Sequence, residues 1–401
     1  MKVLFCSDSF PGRFEVLASA FASQGNDVLF ASHYGRRDFA IPGVHRVLIK
    51  PVRESSLLKR TVTEASQAYS AFLRLRDSGF SPDLILFSAS SAIPLWLHRV
   101  FPKARLCGYA DKPELPTDKT LSAAPEEEAQ ASMLRFSALA HCHAIFAFSE
   151  ACRRGLPPLM ANFARVLPPF IDTEFFSAEA AKPFPCAGRL FPLDGELISM
   201  DVRPCQGEGT LGPRAVWKLA LGLLAHRPRC TVLLNCASPI LKEASADFAG
   251  RLPESWQKRL AVQGYSSLDG WRDLLSASAL FVLPEPCCSA GGVMQPEALE
   301  ALSCGASVAS PAQNIREAGL LAPALLELSP DSPEKDLLRI GQHLDIIRHG
   351  PDLKTKLRAH VEERYSPKRC LPSHMEELRA LCGEHAFEAP DKAHVSCEAC
   401  Q

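Results

Sequence analysis

A two-domain α/β architecture, with two doubly wound sheets facing each other across a cleft, is what this sequence predicts, on three observations. Short apolar runs alternate with amphipathic stretches along most of the chain. A proline-punctuated stretch interrupts that alternation near the middle. The 401 residues exceed what one ordinary core organises.

Met1 to Cys6 reads as a buried first strand, and Asp8 follows too soon for a secretory signal. The turn Ser7 to Gly12 leads into a helix with Phe14, Leu17 and Phe21 on one face and Gly25 as its stop. Strands are expected at Val28–Ala31 and Val44–Ile49. A long amphipathic helix then runs from Leu57 to about Asp77, closed by Gly79. Leu84–Phe87, Arg105–Tyr109, Ala144–Phe148 and Ala164–Leu167 continue the strand series. Strand and helix in alternation imply a parallel sheet with right-handed crossovers. After Pro168 and Pro169, prolines 183, 185 and 192 mark a boundary. A second α/β set opens at Leu197–Met200, with a helix over Pro213–His226 and strands at Thr231–Asn235, Ala261–Gln263, Leu280–Leu283 and Ser307–Ala309. Glu334 to about Cys382 is expected to be helical. The expected division is 1–170, a linker at 171–195, a second domain at 196–350, terminal helices at 351–385 and a flexible tail at 386–401. In such sheets ligands bind outside the carboxyl ends of the strands.

Formal net charge is −1, so no long-range field draws the chain to nucleic acid, and none is expected as a partner. A local basic patch could still give peripheral contact with the inner membrane face. Without an uncharged apolar run of about eighteen residues, no membrane-spanning helix is expected. The 15 cysteines are scattered through strands and helices, which points to a reducing cytoplasm. Cys397 and Cys400 form a lone CxxC on the tail, with no second pair to complete a zinc site.

The densest motif is the run Leu283-Pro284, then Leu299-Glu300-Ala301-Leu302-Ser303-Cys304-Gly305, then Val308-Ala309-Ser310. It resembles the retaining glycosyltransferases of family 4, of GT-B fold, in a divergent bacterial form. Phe10 to Phe14, Ile41 to Val44, Val100 to Leu106, Phe170 to Phe176 and Glu363 to Ser366 follow the same order as similar segments of that family. The resemblance implies a helix whose N-terminus meets the donor phosphates and whose Glu300 takes the ribose hydroxyls. It also implies that the last helix crosses back to the first domain. Glu300 and Arg203 are the expected catalytic residues. Gly12, Arg203, Gly207, Gly209, Lys218, Glu285, Gly291, Gly292, Glu297 and Glu300 are the expected donor contacts. Phe10 to Arg13 would line the acceptor side. Glu300 also reads as a solvated helix residue, which its apolar and small neighbours argue against.

The sequence departs from the family at three places. Relatives carry lysine five positions after the arginine to neutralise the diphosphate, whereas here Glu208 stands there, a carboxylate that would repel it. Lys218 or Arg214 could substitute. The earlier glutamate of the family's pair falls on Gly292, with Glu285 displaced along a longer loop that also reads as plain surface. On the acceptor side Ser88 to Ala92 carry no imidazole, Asp111 is the nearest polar residue, and His141 and His143 default to solvated or capping roles.

The expected function is transfer of a sugar from a nucleotide diphosphate sugar to a glycan or lipid-linked acceptor, with retention. The alternative is a catalytically impaired relative that binds a glycan or protein partner. A nucleotide-sugar epimerase on the same fold is a minor alternative. A Rossmann dehydrogenase is disfavoured because Ser7 to Gly12 lacks the GxGxxG spacing. No cofactor beyond the donor is expected. No metal is expected either, since no Asp-x-Asp pair falls where a GT-A enzyme would carry one.

Overall fold

The computed structural model describes residues 1–35, 40–52, 54, 56–110, 129, 133–134, 136–178, 183–186, 189–191, 196–203, 211–236, 238–264, 267–284, 294–311, 324–329, 332–349 and 352–383. Seven parallel strands form the first sheet: β1 (Lys2–Cys6), β2 (Asp27–Ser32), β3 (Val44–Leu48), β4 (Leu84–Ser88), β5 (Arg105–Ala110), β6 (Ala144–Ala147) and β7 (Ala164–Val166). Their order is 3-2-1-4-5-6-7, with β1 paired to β2 from Lys2↔Asp27 and to β4 from Val3↔Leu84. That order reverses between β1 and β4, so a crevice opens where the chain leaves β1. The central strands are buried on both faces, which is why they read as unbroken apolar runs. Helix α1 (Glu15–Ser23) lays Leu17, Ala18 and Phe21 on the sheet and ends before Gly25, whose φ of +79° suits glycine. Helix α2 (Leu57–Asp77) starts at Ser56, whose hydroxyl accepts from the Lys59 N–H, and is followed by Gly79 at φ +93°.

The stretch read as a linker contains more order than its prolines suggest. β8 (Phe184–Cys186) and β9 (Arg189–Phe191) form an antiparallel hairpin. Phe184, Cys186 and Phe191 lie in the second domain's core, beside Phe176 and Ile171.

The second sheet comprises β10 (Glu196–Val202), β11 (Cys230–Cys236), β12 (Leu260–Gly264), β13 (Leu280–Val282), β14 (Ser307–Pro311) and β15 (Leu325–Leu328), all parallel in the order 3-2-1-4-5-6 of the six. It repeats the winding of the first sheet. Helices α3 (Pro213–His226), α4 (Leu268–Ala277) and α5 (Pro296–Ser303) cover it, and β15 was not anticipated from the sequence. The chain then forms α6 (Leu337–His349), α7 (Asp352–Tyr365) and α8 (Pro367–Cys382). Leu357 and Val361 of α7 join the second core, whereas Met375 and Leu378 of α8 pack with Val3, Phe5 and Phe14 in the first. The two domain crossings run side by side, since the Ile171 N–H donates to the Tyr365 carbonyl at 3.1 Å. Among the described residues no helix is long and apolar enough to cross a membrane. The two facing doubly wound sheets are the architecture expected from the sequence.

Candidate functional site

The site is organised around the N-terminus of α5. Pro296 occupies its first turn, where the missing N–H costs nothing, and the preceding Gln295 makes no side-chain cap. Ala298, Leu299, Ala301 and Leu302 are buried against the sheet. Glu297 and Glu300 fall three residues apart on the outward face, so they neighbour each other along the helix. The far end closes on a Schellman arrangement. The Ala306 N–H donates to Ala301 at 2.9 Å, the Gly305 N–H donates to Leu302 at 3.0 Å, and Gly305 takes φ +83°. This is the structural reason for the glycine in Cys304-Gly305.

Arg203, one residue beyond β10, meets this face. Its Nε and Nη2 donate to Oδ2 of Asp201 at 3.1 and 2.7 Å, and Nη2 reaches Oε1 of Glu297 at 3.4 Å. Asp201 is fully buried, and its other oxygen accepts from the Asn235 amide at 2.7 Å. Burial pushes the Asp201 carboxyl above its usual range, opposed by Arg203 and Asn235. For Glu297, burial also pushes upward. Arg203, its own backbone N–H and Arg13 outweigh that and hold it below the ordinary value. Glu300 is oriented from behind by Trp271 of α4, whose indole N–H donates to Oε2 at 2.7 Å. Trp271 is itself wedged edge-on against Phe281 at 5.4 Å.

The first domain supplies the opposite wall. Gly12, at φ +51°, turns the chain so that Arg13 points across the crevice. There Nη2 donates to Gln295 at 3.0 Å, and the guanidinium lies over Phe148 at 5.3 Å. Gly12, Arg13, Tyr109, Phe148, Pro296, Glu300 and His374 line one crevice between the domains. Of the residues expected from the sequence, Gly12 and Glu300 line this crevice, and the Arg203–Glu297 pair sits beside it at the start of α5. Lys218 is exposed on α3, and among the described residues no hydrogen bond or ion pair joins it to Arg203 or α5. Gly207, Glu208, Gly209, Glu285, Gly291, Gly292, Asp111, Cys397 and Cys400 lie outside the described residues.

Three contributors went unread in the sequence. Asp201, Asn235 and Trp271 hold the two charged groups; Asp201 lies two residues before Arg203, whereas Asn235 and Trp271 reach their partners from 34 and 29 residues away. Only the buried register of β10 on β11, Asp201↔Asn235, could have linked the first two. His143 has the bland role expected of it, accepting from the Leu106 N–H at 3.1 Å. Among the described residues no group of three His, Cys, Asp or Glu side chains is placed to hold a metal ion.

Residues 24–159 match the model of the glycosyl transferase family 4 group. No curated protein matches the sequence. Among solved structures, HepE of Anabaena in complex with UDP superposes with a TM-score of 0.61 at 15% identity, covering 95% of this chain and 100% of its own. Sucrose-phosphate synthase from Thermosynechococcus elongatus gives a TM-score of 0.65 at 14% identity, with 95% and 99% covered. UDP-GlcNAc 2-epimerase from Neisseria meningitidis, bound to UDP-GlcNAc, gives 0.61 at 13% identity, with 95% and 100% covered. The protein thus has the GT-B fold that these structures share. Its family 4 resemblance, read at α5 and at segments of both domains, is borne out by the family-model match over residues 24–159. Transferase and epimerase superpose equally well, so the fold does not separate them.

Proposed function

We propose that the chain is a hexosyltransferase that moves a sugar from a nucleotide diphosphate sugar to a glycan or lipid-linked acceptor, with retention of configuration and without a metal ion or further cofactor. The observation that carries this reading is that Glu297 and Glu300 share the outward face of α5, with Arg203 from the end of β10 on Glu297 and with Gly12 and Arg13 of the first domain facing the same helix N-terminus. When a glycosidic bond to phosphate breaks, the leaving group's charge must be met by groups already in place. Arg203 and the α5 amides would meet it, and Glu300, steadied by Trp271, would take the ribose hydroxyls. The departing phosphate would itself receive the acceptor's proton, so the acceptor side needs no imidazole. HepE, solved with UDP, with UDP and glucose, and with UDP-glucose, supports a nucleotide-sugar donor. The reaction is proposed for the cytoplasm, at or near the inner membrane face where lipid-linked acceptors are presented.

A second reading is a catalytically impaired relative that binds a glycan or protein partner. It draws on Asp201 and Glu297, which already hold Arg203. A thermal-shift titration with UDP, GDP and ADP, followed by a nucleotide-sugar hydrolysis assay, decides between them. The transferase reading expects a rise in Tm with one nucleotide and slow hydrolysis of its sugar conjugate. No shift with any nucleotide and no hydrolysis would leave the binding protein.

A further inference from the structure

A pocket for a diphosphate works by offering positive charge and backbone N–H groups to an anion that brings negative charge with it. In this protein the offer is already taken. Arg203 faces two carboxylates, so the set of Arg13, Arg203, Asp201 and Glu297 carries no formal net charge. The two carboxylates are not equivalent. Asp201 is fully buried and fixed by Asn235, and cannot leave without abandoning both partners. Glu297 keeps 34% of its side chain exposed and sits on the first turn of α5, where its own backbone N–H and the Arg203 guanidinium hold it. A carboxylate at a helix N-terminus, facing an arginine and taking a first-turn N–H, makes the contacts a phosphate would make there.

Building on the nucleotide-site reading above, we propose that Glu297 is an internal anion standing in the donor's phosphate position, which a phosphate-bearing ligand must displace before it seats on Arg203. Its exposed side gives the carboxylate a way out into solvent, whereas the Asp201–Arg203 pair stays as a fixed base for the phosphate. Glu297 thereby sets the affinity of the site for phosphate without touching the nucleoside.

The test is isothermal titration at low salt of the native protein, Glu297→Gln and Glu297→Ala with UDP, GDP and ADP, and with uridine, guanosine and adenosine. Removing a competing, partly screened ion pair should tighten diphosphate binding by about tenfold in both variants and leave the parent nucleoside unchanged. Diphosphate binding that appears only in the variants supports the proposal more strongly still. Equal or weaker diphosphate binding by variants with native Tm overturns it and leaves the nucleotide site standing. Failure of all three proteins to bind any nucleotide overturns both.

Discussion

Glu297 and Glu300 are separated by one turn of α5, yet their surroundings divide them. The first faces Arg203, and the second faces the indole N–H of Trp271. An indole donates one bond and leaves a carboxylate's other oxygen directed elsewhere, so Trp271 orients Glu300 without neutralising it. Glu300→Gln preserves the shape and can still accept from Trp271, but it would replace the charge-assisted bond to the ribose proposed above by a neutral one. Nucleoside diphosphate affinity is expected to fall about five- to tenfold with little change in Tm. Titration of the variant with whichever nucleotide the native protein binds checks this. Unchanged affinity would reduce Glu300 to a partner of Trp271. At this scale Glu300 and Arg203 were legible because each sits in a local run of recognisable type. Asp201, Asn235 and Trp271 were not, because the need for them arises only when strands and helices distant in sequence are brought together.

At the scale of elements, hydrophobic period and glycine punctuation located most strands and helices to within a residue or two. Helix α2 spans Leu57–Asp77 and α3 spans Pro213–His226, as their apolar spacing requires. The β8–β9 hairpin escaped because Pro183, Pro185 and Pro192 mask a strand signal that rests on alternate residues: Phe184 and Cys186 point in, while Pro185 points out. Its anchoring in the second core makes the hairpin part of that domain's stability. Phe184→Ala should therefore cost about 3 kcal/mol in urea denaturation, the range for truncating a buried aromatic ring. A loss under about 1 kcal/mol would show the hairpin to be an appendage. β15 escaped for another reason: Leu325 to Leu328 is too short to stand out, and it is a strand because β14 offers it an edge.

For the whole molecule the decisive element is α8, which ties the end of the described chain to the first domain. His374 is nearly enclosed there, parallel to the Tyr109 ring at 6.0 Å. Its Nε2 donates to the Pro168 carbonyl at 3.1 Å; a carbonyl can only accept, so this nitrogen carries the proton. Burial pushes the His374 pKa down to about 4. The folded protein therefore resists a proton that the unfolded chain accepts from about pH 6.5 downward. Stability supplied by neutral His374 is present above that value and is lost as pH falls toward 4. Buried His343 and His360 shift in the same direction. His374→Gln removes one titrating group while retaining a donor toward Pro168. The fall in unfolding free energy between pH 7 and pH 4.5 should shrink by about 2 kcal/mol in the variant. An identical fall in both proteins would place the acid sensitivity elsewhere.

The sequence by itself determined the fold class, the strand and helix series, and the position of Glu300, because these follow from local period, turn chemistry and one compact motif. Only the tertiary structure decided what those residues face. Whether Arg203 stands ready for a phosphate or is already held depends on Asp201 beneath it and Glu297 across from it. Charges separated by 94 residues come within 3.4 Å only because the fold brings the N-terminus of α5 beside the end of β10. Electrostatic interactions act through space and in the dielectric that burial creates, so their balance is a property of the folded chain rather than of any run of residues within it.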